Sequence, residues 1–178
     1  GKKGIYLDPE TRKNSIIFRG NIARLTEKLI AEGKNAQAKE MMDIAMANMP
    51  IDAYGYYFTL DPFVKGYYQI GDTEKARDIA KQVIKKYQEE LTYYTHLSAT
   101  ALRESANKIQ YCIDRYGELL VICQPYDKEF YTQEWNVFKQ QVRLFMDEKE
   151  IDEYFHEDLV PTPTAEKQGT ASDTLATD

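Results

Sequence analysis

Long hydrophobic runs are missing from this sequence. The longest apolar stretch, Leu119 to Cys123, falls far short of the roughly 18 to 20 residues a membrane-spanning helix needs. Cysteine is nearly absent as well. Cys112 and Cys123 stand eleven residues apart in what reads as one helix, on one face but about 16 Å apart at a rise of about 1.5 Å per residue. That is too far for a bridge, so no disulfide framework is implied and cysteine leaves the compartment open. The two histidines, His96 and His156, have neither the spacing of a zinc-binding helix nor that of a catalytic triad. Positive charge is short too: the net charge of -6 argues against a nucleic-acid backbone as partner. Much of the excess sits in Asp147 to Asp158, where seven acids face one lysine. This run lacks the Asp-x-Asp-x-Asp-Gly order of a calcium loop and reads as a solvated face. The chain opens Gly1-Lys2-Lys3 without Met or an apolar signal region. Gly1 is read as a cleavage scar and the chain as a piece of something larger.

What is present is a repeat. With 178 residues and 43% hydrophobic content, the chain is long enough for one good core or one short array. Gly33 to Pro50, GKNAQAKEMMDIAMANMP, is echoed 38 positions later by Gly71 to Gln88, GDTEKARDIAKQVIKKYQ. In both, a Gly is followed five residues on by an Ala, Gly33 with Ala38 and Gly71 with Ala76. An amphipathic run precedes each Gly: Ile22, Leu25, Leu29 and Ile30, then Leu60, Phe63, Val64, Tyr67 and Tyr68. Each unit reads as helix, tight turn, helix. The Gly supplies the left-handed turn and the Ala lets the second helix approach the first. Repeating hairpins of this length are a solenoid signature.

In chain order, residues 1–14 read as a polar lead-in, with Asp8-Pro9 as a turn or capping signal. Residues 15–156 form the helical domain, and 157–178 a flexible tail rich in Thr, Ser and Pro. Asn14 or Ser15 is expected to cap a first helix running to about Glu32, and a second spans about Asn35 to Met49, ended by Pro50. For Asp61-Pro62 two readings stand: an N-cap with Pro at the first helical position, or, favoured, a kink in a helix that begins near Tyr54. The next helix runs from about Thr73 past Glu89. A third pair follows without the Gly signature: an apolar stripe from Leu102 to Cys123, a turn at Pro125 to Lys128, and a helix from Glu129 to Phe145 that buries Phe130, Trp135, Phe138, Val142 and Phe145. A short piece around Ile151 to Phe155 folds back onto it.

The first unit resembles the tetratricopeptide pattern. Counted from Arg19, the residues Ile22, Leu25, Leu29, Gly33, Ala38, Met42, Ala45 and Pro50 occupy its large apolar, Gly, Ala and Pro places; Thr26 departs from the usual small residue. The second unit, from Tyr57, keeps Tyr67, Gly71 and Ala76, but has Val64, Val83 and Gln88 at three other places. The resemblance implies an all-α, right-handed α-α superhelix, a TPR-like solenoid of about three helical hairpins. The opening GIYLDPETRK, the two repeats and the pairs Tyr67-Tyr68 and Tyr93-Tyr94 also resemble the C-terminal soluble region of a bacterial family of multi-pass membrane proteins related to protein O-mannosyltransferases. That likeness implies an accessory domain on the extracytoplasmic, periplasmic face of a membrane, and it carries no catalytic residue onto this chain. Asp173-Thr174-Leu175 resembles a bacterial O-glycosylation acceptor and points to the same side.

In a tetratricopeptide array the first helix of each pair lines the concave face. This makes Glu27 of the first unit and Phe58, Asp61, Lys65 and Tyr68 of the second the candidate ligand contacts. Phe58, Lys65 and Tyr68 form the better patch, since exposed aromatics beside a charge suit peptide or sugar recognition. The competing reading is that the 14 tyrosines pack between helices with hydroxyls at the rim. No acid-base or nucleophile constellation is found, so neither an enzyme, a cofactor nor a metal site is expected. The favoured function is a module that binds a protein or peptide, with the membrane part of its own parent chain among the candidates. The alternative is a purely structural capping or self-association module, favoured if the third hairpin or the C-terminal segment fills the concave face.

Overall fold

The computed structural model describes residues 7–147 and 149–151. Outside them lie the expectations for the first six residues, His156, the 157–178 tail with its Asp173-Thr174-Leu175, most of the acidic run, and the piece around 151–155 apart from Ile151. Every regular element among the described residues is helical.

Helix α1 (Pro9–Ala31) starts earlier than the sequence pattern placed it. Asp8 caps it, its carboxylate accepting from the Thr11 N–H at 2.9 Å and the Thr11 hydroxyl at 2.6 Å, and Pro9 supplies the preset φ of a first turn. Ser15 caps nothing; its hydroxyl donates back to the Arg12 carbonyl at 2.6 Å inside the helix. At the far end Gly33 adopts φ 72°, which lets Lys34 N–H reach the Leu29 carbonyl at 2.8 Å and Gly33 N–H the Ile30 carbonyl at 2.9 Å. Helix α2 (Asn35–Asn48) follows. The same closure recurs at Gly71, φ 83°, where Asp72 N–H bonds to Tyr67 O at 2.9 Å and Gly71 N–H to Tyr68 O at 3.0 Å. Only a residue without Cβ takes this conformation freely, so both repeats turn on the same two hydrogen bonds. Ala38 and Ala76 are fully buried, as their role in close helix approach requires.

Between the two hairpins the chain is irregular. A single turn, α3 (Ile51–Tyr54), ends at Gly55, Tyr56 is left-handed with φ 48°, and a 3-10 turn (Tyr57–Leu60) runs straight into α4 (Asp61–Gln69). The favoured kinked helix from Tyr54 is therefore corrected. Pro62 lies in the first turn of α4, where its missing N–H costs no hydrogen bond, and Asp61 is itself helical, with Leu60 at the cap position. Arg19, fully buried on α1, holds the irregular stretch in place. Its guanidinium donates to the carbonyls of Gly55 at 2.7 Å and Met49 at 2.8 Å and to the Thr59 hydroxyl at 3.0 Å. Only a planar fork of several donors reaches three oxygens in such different directions. Burial lowers the Arg19 pKa to about 10, so the side chain still enters the core charged.

Helix α5 (Thr73–Thr95), capped by Asp72, completes the second hairpin. The expected Leu102 to Cys123 helix is broken at Ser105 into α6 (Ala99–Glu104) and α7 (Ala106–Cys123). Asp127 then caps α8 (Lys128–Val142), accepting from the Phe130 N–H at 3.3 Å. Phe130, Phe138 and Val142 are buried as expected; Trp135 and Phe145 are partly buried at the edge of the core. Helix α1 pairs with α2, α4 with α5 and α7 with α8; α4 rests on α1 and α2, and α7 on α4 and α5. Among the described residues, three helical hairpins thus follow one another in chain order around one continuous core.

Candidate functional site

The five candidate contacts do not form one open face. Glu27 and Lys65 are exposed, Phe58 is half-buried, and Asp61 and Tyr68 are buried, at 6% and 5% exposure. The patch of exposed Phe58, Lys65 and Tyr68 is corrected accordingly: Phe58, Asp61 and Tyr68 face the third hairpin and are bonded to it or packed against it.

Asp61 forms an ion pair with Arg115 of α7, which also bonds to Glu118 one turn further on and lies 5.8 Å from the Phe58 ring centre. One Asp61 oxygen, Oδ1, and Arg115 Nε are buried without a hydrogen-bond partner. Burial pushes the Asp61 carboxyl up to about 7, against the pull of Arg115. The cause is loss of water around the anion. With Asp61 almost fully enclosed, this shift serves an interface between helices and gives no substrate access to the carboxyl.

A second joint centres on Asp127. Arg77 of α5 grips both its oxygens, the Oδ1 contact at 2.7 Å, and the Tyr68 hydroxyl donates to Oδ2 at 3.2 Å. The bond from Arg77 holds the Asp127 pKa below the usual carboxylate range. Tyr126, just before Asp127, stacks on Tyr68 with ring centres 5.3 Å apart and planes 6° from parallel. Helices α4, α5 and the start of α8 therefore meet at one carboxylate. The tetratricopeptide pattern placed Tyr68 toward solvent. The partners that enclose it, Arg77, Tyr126 and Asp127, carry no repeat signature, although Asp127 lies in the predicted turn before α8.

A third cluster joins the first two hairpins. The Tyr67 hydroxyl donates to Asp43 at 2.7 Å, Lys75 reaches the same carboxylate at 2.6 Å, and Lys39 pairs with Asp72. Both lysines lie 5.6 Å from the Tyr67 ring centre. A shallow cavity of about 400 Å³ beside it is lined by Asn35, Ala36, Lys39, Ile70, Gly71 and Asp72. Cys112 and Cys123 are free and buried, and burial pushes the Cys123 thiol up to about 12, so it is no ready nucleophile. His96 is exposed, with Nδ1 2.8 Å from the Thr92 carbonyl of its own helix. Among the described residues no group of three His, Cys, Asp or Glu could hold a metal ion, and no helix is long and apolar enough to cross a membrane. We compared the chain with models of protein families, with curated proteins and with solved structures, and none of them matched.

Proposed function

We propose that this chain is a non-catalytic, TPR-like structural module, a right-handed stack of three hairpins that orients the polypeptide to which it is joined and has no separate ligand of its own. The observation that carries this reading is the use made of the candidate face. Asp61 is paired with Arg115, Phe58 lies under the same guanidinium, and Tyr68 is bonded to Asp127 and stacked on Tyr126. Side chains that a recruiting module would offer to a peptide serve here as joints between hairpins. The order of contacts, each hairpin resting on the one before, agrees with a tetratricopeptide-like superhelix. If the sequence resemblance to the soluble region of membrane proteins related to O-mannosyltransferases holds, such a module would sit on the periplasmic side of a bacterial membrane.

Recruitment of a protein or peptide through the candidate face would have to use its exposed members, Lys65 and Glu27. A pull-down from a periplasmic extract, made with the wild type and with a Lys65→Glu, Glu27→Lys double variant, tests this directly. The structural reading expects both to recover the same proteins in the same amounts. A protein lost with the variant alone would replace it with a recruiting face.

A further inference from the structure

Each hairpin after the first begins in the same place. Helix α4 rests on both helices of the first hairpin, α1 and α2, and α7 on both helices of the second, α4 and α5. Past the third hairpin the corresponding place is a groove between α7 and the end of α8, with a cavity of about 310 Å³ lined by Leu102, Ile109, Ile113, Leu144, Phe145 and Met146. Leu144 is 67% exposed there. The chain then turns inward. Asp147 and Glu150 cap each other, the Glu150 N–H donating to Asp147 Oδ1 and the Asp147 N–H to Glu150 Oε2, both at 2.9 Å, as at the start of a helix. The backbone of 149–151 is helical, and Ile151 is fully buried in the core. A chain leaving the molecule after Met146 would bury nothing so soon.

We infer that residues 152–159 of the same chain dock along this groove, so that Tyr154 and Phe155 close the end of the array as the first helix of a further hairpin would. The inference rests on the structural reading above, in which the module is a stack of hairpins. The lining of the cavity brings the end of α8 beside the start of α7. A segment that enters there and stays buried follows α7 toward its far end. The sequence suits that path: Ile151, Tyr154, Phe155 and Leu159 recur at the spacing of one helix face, and Glu153, His156 and Glu157 fall on the opposite one. Charge agrees as well. Asp152 to Asp158 holds four acids and no Lys or Arg, and the exposed Arg103 borders the groove. Gly117 is buried one turn beyond Ile113 on α7. Glycine is unfavourable inside a helix, and the buried Gly66 of α4 is explained by the closeness of Met42 and Thr26. Docked aromatic rings give Gly117 the same reason, close approach.

Nuclear Overhauser contacts in the full chain test the docking. In the wild type the ring protons of Tyr154 and Phe155 are expected to contact the methyl groups of Ile109 and Ile113. A Tyr154→Ser, Phe155→Ser double variant should speed amide hydrogen exchange across 109–117 by about tenfold or more and leave α1 and α2 unchanged. Absence of the ring-to-methyl contacts in the wild type overturns the inference, whatever the variant does, and so do contacts of the two rings with any other surface. A mixture of isotope-labelled and unlabelled chains identifies the source of the rings: contacts seen only between copies would give the groove to a second chain and overturn the inference too. Unchanged exchange across 109–117 in the variant does the same. None of these outcomes bears on recruitment through Lys65 and Glu27, which the pull-down judges.

Discussion

Asp61 is the residue whose protonation the fold controls most visibly. Its ordinary pKa of 3.8 rises to about 7 on burial, so the folded protein holds this proton more tightly than the unfolded chain does. The stabilising contribution is therefore complete below pH 3.8 and is lost as pH rises through about 7, the reverse of an ordinary surface carboxylate. Asp61→Asn cannot ionise and removes the dependence. Urea unfolding of both proteins between about pH 4 and pH 8 should show the wild type losing stability relative to Asp61→Asn, on the order of a few kcal/mol. Parallel curves would mean that Arg115 compensates the buried charge in full. Arg19 shows the complementary case, a buried cation that meets only neutral oxygens; it is kept because those oxygens would otherwise be stranded.

At the scale of elements, the first hairpin and α4 approach each other closely at Gly66. A Cβ placed on Gly66 would come 2.8 Å from Met42 Sδ and 3.6 Å from the Thr26 methyl, and Met42 is itself fully buried. Gly66→Ala should therefore cost about 1 to 3 kcal/mol by overpacking, even though Ala favours a helix over Gly by about 1 kcal/mol. In a Met42→Ala background the obstruction is gone, and the same change should become neutral or stabilising. Denaturation of the four proteins of this double-mutant cycle measures the coupling; additive effects would show that α4 does not approach α2 so closely. The turn glycines work differently. Gly33 and Gly71 have open space around them, and positive φ alone explains their presence.

Across the whole molecule, an aromatic chain links the second hairpin to the third. Tyr57 meets Tyr87 edge-on at 6.0 Å, Tyr87 lies 6.3 Å from Tyr116, Tyr116 meets Phe138 at 4.9 Å, and Phe138 stacks on Trp135 at 5.0 Å. Repeat arrays can lose their hairpins one at a time when the interfaces are weak. Here the Asp61 and Asp127 joints and this aromatic chain cross the same boundary, so the described helices should unfold as one unit. Trp135, the single tryptophan, reports on the third hairpin, whereas far-ultraviolet circular dichroism reports on all the helices. Their urea transitions are expected to coincide. An earlier tryptophan transition would show that the third hairpin separates first.

The residues that determine local geometry could be read directly. Gly33, Gly71, Ala38 and Ala76 declared two hairpins because turn handedness and close approach depend on the residue at the position itself. The three hairpins followed from helical periodicity, and the ends of α1, α2 and α4 from Gly33, Pro50 and Gly71, whereas the start of α1 at Pro9 and the break at Ser105 did not. Residues 50–60 could not be read in this way. Their path is held by Arg19, 30, 36 and 40 positions away from the groups it bonds, and no local pattern announces such a partner. The candidate face failed for the same reason. Helical spacing placed Asp61 and Tyr68 on one side of α4, but whether that side met water depended on Arg115, 54 positions on, and Asp127, 59 positions on. The sequence by itself determined the repeating scaffold. Only tertiary packing decided which faces of that scaffold were closed, because burial belongs to pairs of helices and a periodic pattern describes one helix at a time.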